Sequence, residues 1–143
     1  MGHIHHTDSE DASAALGAGI AQTLRRGSVL CLHGTLGMGK SVLARAIIRA
    51  LAGNQTLDVP SPTYTLLQLY ETPVAPIFHF DLYRLSAPEE IYELGWEDAL
   101  AEGITIIEWP ERLGHLAPPA RTDITLTPGN NGPDSRVIEV SSP

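Results

Sequence analysis

The chain has one lysine and one cysteine among 143 residues, and its basic side chains are few: nine Lys plus Arg against seventeen Asp plus Glu, a net charge of −8. Each scarcity excludes something. No basic face is large enough to suggest direct, salt-sensitive binding to nucleic acid, and direct sequence-specific binding is not expected, so an RNA involved in function would be held through a partner. A single thiol, Cys31, forbids an intrachain disulfide and reads as a small core residue. No apolar run is long enough to span a bilayer and no secretory core region is present, so the expected setting is the cytoplasm, away from membrane. Internal repeats and low-complexity linkers are also missing. The hydrophobic fraction of 43% is ordinary for a globular protein, and the length suits one domain, residues 1–143.

The lone lysine, Lys40, stands in Gly34-Thr35-Leu36-Gly37-Met38-Gly39-Lys40-Ser41. The stretch fits G-x-x-x-x-G-K-[ST], the phosphate-binding P-loop. Its glycines let the backbone turn tightly and aim N–H groups at phosphate oxygens. A helix beginning near Lys40 adds its N-terminal dipole. The lysine can bridge β- and γ-phosphates, and the serine hydroxyl can ligate Mg²⁺. All other basic side chains are arginines, so lysine is kept where a compact ammonium has to fit between phosphates. Context agrees. Val29-Leu30-Cys31-Leu32 reads as a buried strand before the loop, residues 42–51 carry helical apolar spacing after it, and Gly53 suits the residue past that helix.

Taken in order, the opening Met1-Gly2-His3-Ile4-His5-His6 looks tag-like, and residues 1–7 are expected to be disordered. Thr7-Asp8-Ser9-Glu10 fits a capping box. Leu16, Ile20 and Leu24 share a face, and Arg25 and Arg26 suit the negative end of a helix before Gly27; one amphipathic helix over 8–26 is predicted. Val59-Pro60-Ser61-Pro62-Thr63-Tyr64-Thr65 is held extended by its prolines. It is either a rigid connector to a strand at 65–70 or a switch segment in which Thr63 senses the γ-phosphate.

Two further strands end in acids: Ile77-Phe78-His79-Phe80-Asp81 and Ile104-Thr105-Ile106-Ile107-Glu108. Both resemble an element that delivers a carboxylate to a Mg²⁺ shell. The second is the more continuous apolar run, so it is expected beside the P-loop strand with Glu108 at the metal. Asp81 then positions water or supports the metal's ligands from one layer further out. Ser86-Ala87-Pro88-Glu89 fits a capping box for a short acidic helix through Glu93 closed by Gly95, with a further turn over 96–100. Trp109 is either a core filler or a flank of the nucleotide site. Segments 123–127 and 136–140 flank a turn-rich stretch and predict an antiparallel hairpin added to the sheet edge. Arg136 is either an edge-strand charge or a nucleotide contact.

With one lysine in the chain, the Asn-Lys-x-Asp motif of guanine-specific enzymes is absent, which favours ATP. The Leu-Ser-Gly-Gly-Gln signature of transporter ATPases and the Arg-rich lid of small-molecule kinases are missing too.

These residues together resemble the bacterial TsaE (YjeE) family. Its hallmarks are the glycine loop, Ser61-Pro62-Thr63-Tyr64, His79-Phe80-Asp81-Leu82-Tyr83-Arg84-Leu85 and Ile107-Glu108-Trp109-Pro110, in that order. Thr35, Met38 and Ser41 depart from the usual acid, small residue and threonine. The resemblance implies an α/β P-loop NTPase fold: a mixed, mostly parallel sheet flanked by helices, ending in a β-hairpin. It implies a slow Mg²⁺-dependent ATPase that serves threonylcarbamoyl modification of the tRNA adenosine next to the anticodon, acting with the TsaD and TsaB proteins. The implied nucleotide contacts are Ser13, Gly37, Met38, Gly39, Lys40, Ser41, Val42, Trp109 and Arg136. Ser41 and Glu108 hold the metal, and Lys40, Asp81, Glu108 and Thr63 serve hydrolysis. Two other readings stay open: a nucleotide-gated binding module with incidental hydrolysis, and a small P-loop phosphotransferase.

Overall fold

A computed structural model describes residues 2–142. Strand β2 (Val29–His33) sets the architecture. Its first four residues are buried, Cys31 and Leu32 completely. A strand apolar on both faces needs a neighbour along each edge and a layer over each face. Strands β5 (Ile104–Glu108) and β6 (Thr122–Pro128) flank it, both parallel to it. The seven strands run β1-β7-β6-β2-β5-β4-β3. Strand β4 (Ile77–Asp81) continues the parallel block beside β5, while β3 (Leu67–Tyr70) closes that edge antiparallel. The sheet is therefore mixed with a parallel centre, as expected.

Period-two alternation divides the core. Leu30, Leu32, Ile104, Ile106 and Ile124 pack under helices α1 (Glu10–Ala21) and α2 (Lys40–Ala52). Cys31, Phe80 and Ile107 face the opposite layer, where Ile91, Trp96 and Leu113 come from the 3₁₀ segment Pro88–Leu94, helix α3 (Trp96–Glu102) and the 3₁₀ segment Pro110–Leu116. Helix α2 ends as predicted, with Gly53 at φ 67° returning its N–H to Ala50 and Arg49 carbonyls.

Four expectations are corrected. Residues 2–7 are not a frayed tag: they form β1 (Gly2–Thr7), antiparallel to β7 (Arg136–Ser141). Met1 lies outside the described residues. The hairpin β6–β7 is not an appendage at the sheet edge. It lies between β2 and β1, because β2 needs a second partner and β1 in turn covers β7.

Helix α1 is shorter than residues 8–26. Thr7 belongs to β1 and its hydroxyl meets that of Ser13 at 2.8 Å, so Ser9 caps instead, accepting from the Ala12 N–H at 3.0 Å. At the other end the chain tightens into i→i−3 bonds from Gln22, Thr23 and Leu24, and the Thr23 hydroxyl takes the Ile20 carbonyl. Arg25 and Arg26 thus lie beyond the helix. The acidic segment after Ser86 is likewise a 3₁₀ turn capped one residue later, with the Glu90 carboxylate accepting from the Ala87 N–H at 2.7 Å. Pro88 at its first position sets that start.

Candidate nucleotide site

The loop from Gly34 to Ser41 joins the C-terminal end of β2 to α2. Gly37 and Gly39 lie at φ 84° and 97°, a region that other residues rarely adopt. A Cβ on Gly34 would stand 3.0 Å from the Leu126 carbonyl oxygen, so the loop is also pressed against β6. Gly39 caps α2 with no side-chain bond. The first intrahelical bond runs from the Leu43 N–H to the Gly39 carbonyl, which leaves the amides of Lys40, Ser41 and Val42 without an acceptor in the preceding turn. An anion fits there.

Arg136 shapes the loop from outside. Its Nε donates to the Met38 carbonyl at 2.9 Å and a terminal nitrogen to the Gly37 carbonyl at 3.2 Å. These bonds fix the peptides on either side of Met38, whose own N–H donates to the Thr35 carbonyl at 3.3 Å within the loop. Arg136 is therefore neither a free edge charge nor aimed mainly at solvent.

The carboxylates arrive on adjacent parallel strands, with Asp81 opposite Glu108 in register. Both are buried. Glu108 accepts from His79 Nε2 at 2.8 Å. Asp81 accepts from the Thr63 hydroxyl at 3.2 Å and the Tyr83 N–H at 3.0 Å, which ties the proline-held segment to the strand end. Lys40 is 6% exposed. Its Nζ donates to the Gly34 carbonyl at 2.6 Å and stands 3.4 Å from the centre of the Trp109 ring, a cation–π contact. Burial lowers the Lys40 pKa from 10.5, while Glu108, Glu111 and Asp81 pull it back up. Trp109 holds a left-handed conformation, φ 59° and ψ 51°, and leans on Tyr83 with ring centres 4.9 Å apart. It flanks the site.

A cleft of about 410 Å³ brings together Gly37, Gly39, Lys40, Ser41, Val42, Thr63, Asp81, Glu108 and Trp109. Ser13, Met38 and Arg136 are on its flank, lining a separate recess of about 50 Å³ with Glu10 and Asp134. The Ser13 hydroxyl is already engaged by Thr7. Sequence reasoning assigned no role to His79 or to the loop-bracing bonds of Arg136. Strand periodicity puts residues 79 and 81 on one face, so the first was in principle readable; the second depends on tertiary packing.

The donor set suits a nucleoside triphosphate with a divalent cation. Three helix amides and an ammonium are available to phosphate oxygens, with a hydroxyl and two carboxylates at hand. Among the described residues no cluster of three His, Cys, Asp or Glu side chains forms. Mg²⁺ bound with a nucleotide takes most of its ligands from phosphate and water.

Strand, glycine loop, helix and strand-end carboxylates define a P-loop NTPase-type domain. The chain belongs to the TsaE family: the family model described as "Threonylcarbamoyl adenosine biosynthesis protein TsaE" matches residues 7–138. A relative from Rickettsia bellii named "tRNA threonylcarbamoyladenosine biosynthesis protein TsaE" is 44% identical over 119 residues, 83% of this chain and 82% of its own length. One of the same name from Aquifex aeolicus is 38% identical over 105 residues, 73% and 74% of the two chains. The crystal structure of YdiB from Bacillus subtilis superposes with a TM-score of 0.79 at 25% identity, over 99% of this chain and 86% of that one. No helix among the described residues is long and apolar enough to cross a membrane.

Proposed function

We propose that the protein binds MgATP in the P-loop cleft and hydrolyses it slowly, as a cytoplasmic accessory factor in threonylcarbamoyl modification of tRNA. The observation that carries this reading is the meeting of the buried Lys40 with Asp81 and Glu108 in one cleft at the C-terminal ends of parallel strands. The pathway comes from the names of the relatives, and TsaD and TsaB are the partners that the motif resemblance implies.

Bound Mg²⁺ would draw charge from the phosphates and make the terminal one a better target. Ser41 and Glu108 would hold it. Glu108 keeps one carboxylate oxygen on His79, which leaves the other for the metal or its water. Lys40 and the first α2 amides oppose charge developing on the γ-phosphate. The ammonium leaves the Gly34 carbonyl and the Trp109 face to do so. Asp81 orients the attacking water, and Thr63 reports an occupied γ-position by leaving Asp81. Arg136 holds the loop open to phosphate, and Trp109 walls the cleft.

The bond between Thr63 and Asp81 also favours a second reading, a nucleotide-gated module in which occupancy alone resets docking. Multiple-turnover tRNA modification in the reconstituted system, with ATP against a non-hydrolysable analogue, separates the two. The ATPase reading expects the analogue to stall after about one round; sustained turnover selects the gated module.

A further inference from the structure

The opposite end of the sheet carries a cavity rich in arginine and hydroxyl side chains. This cavity of about 470 Å³ opens where β2 and β6 begin, lined by Arg25, Arg26 and Arg121 with the hydroxyl residues Ser28, Thr122 and Ser142. No acidic side chain lines it, although acids outnumber basic residues seventeen to nine in the chain. Three of those nine basic side chains converge there.

Their bonding leaves donors free. Among the described residues Arg25 has no ion pair, and no side-chain hydrogen bond forms on its guanidinium. Arg26 uses one terminal nitrogen on the Glu102 carbonyl at 2.7 Å. Arg121 uses Nε on Asp123 at 3.2 Å and one terminal nitrogen on the Pro118 carbonyl at 2.9 Å, which leaves the other. The carbonyls at the end of α1, which would repel an anion, are taken by the amides of residues 22–24. The helix expected to use Arg25 and Arg26 at its C-terminus stops at Ala21, so helix capping does not account for them. A guanidinium fork is suited to phosphate oxygens.

We infer that the Arg25–Arg26–Arg121 cavity binds phosphate groups, carried by an RNA backbone or by a free phosphate ester. The site is separate from the P-loop: the five residues of β2 lie between them, about 16 Å of strand. It uses no residue of the nucleotide cleft and stands whether or not that cleft binds ATP. Three arginines in an otherwise acidic surface give weak, sequence-independent binding, with a salt slope of about −2 on single-stranded RNA.

The test follows anisotropy of a labelled, 5′-hydroxyl single-stranded RNA in saturating MgADP. It is repeated on the Lys40→Met protein, in which the P-loop no longer contributes. Thermal shift with inorganic phosphate runs in parallel. Arg25→Glu is the main variant, because its side chain holds nothing in the fold; Arg25→Gln checks charge against bulk, and an unchanged melting temperature certifies both. RNA binding that survives in Lys40→Met and falls at least about tenfold in Arg25→Glu supports the site with RNA as the source. A phosphate-induced shift lost in Arg25→Glu, without RNA binding, supports it with a free phosphate ester. Wild type and Arg25→Glu responding alike to both probes overturns it.

Discussion

Lys40 concentrates the conflict between folding and binding in one side chain. Its ammonium is buried and its pKa is pushed below 10.5 by that burial. A lysine whose folded pKa lies under its unfolded value binds protons less readily in the folded state, so at neutral pH the charge opposes folding, and this is relieved as pH rises past the folded pKa. Lys40→Met is therefore expected to keep or raise the melting temperature while losing the shift that MgATP gives wild type. Differential scanning fluorimetry with and without nucleotide reads both. Cys31 shows the reverse case. Burial, chiefly, lifts its pKa from 9.0 to about 12. The native thiol should resist alkylation at pH 8–9 and react only on unfolding. Its contribution to stability is complete below 9.0 and is lost as pH rises toward about 12. At this scale the sequence was informative wherever chemistry fixes a residue type, as in Lys40, Ser41 and the acids closing β4 and β5. It was silent where a role depends on what packs nearby. Arg136 grips the Gly37 and Met38 carbonyls from about a hundred residues away, and no local pattern encodes that.

Helices α1 and α2 meet through Gly17, where a Cβ would stand 3.0 Å from the Ala46 Cβ and 3.3 Å from the Leu43 carbonyl oxygen. Two faces of the same helix thus make opposite predictions. Gly17→Val should destabilise by about 1–3 kcal/mol through overpacking, seen in urea melts. Gly19 is exposed with open space around its Cβ position, and Gly19→Ala should stabilise by about 0.5–1 kcal/mol. Equal effects at the two sites would contradict the packing described. Elements with strong periodicity were legible: β2, α2, β4 and β5 stand where the apolar spacing puts them. The ends of α1 were not. Its N-terminus moved because Thr7 pairs with Arg136 across the sheet, and its C-terminus because residues 22–24 tighten into a turn. The first choice is made by a partner distant in sequence, the second by i→i−3 bonds within the turn itself.

The whole molecule is organised by a parallel centre that has to be covered on every side. Strand β1 is the least legible part of this arrangement, since its residues are mostly exposed and carry no hydrophobic alternation. It is held by backbone pairing with β7, which any polar sequence can supply. Removing residues 2–6 should expose the β7 edge, lower the melting temperature by a few degrees and increase self-association. MgATP affinity should be retained, because none of those residues lines the cleft. Light scattering and fluorimetry on the truncated chain check this.

In the proposed function the glycine loop, Lys40 and the Glu108–Trp109 strand end act as one nucleotide site. Trp109 reports on it directly, because its ring lies against the ammonium that the phosphates would draw away. The measurement is tryptophan emission during MgATP and MgADP titration of the isolated protein, with Trp109→Phe to assign the signal and Lys40→Met as control. A saturable change carried by Trp109 and lost in Lys40→Met is expected. A flat trace, confirmed by calorimetry showing no heat of binding, would contradict it.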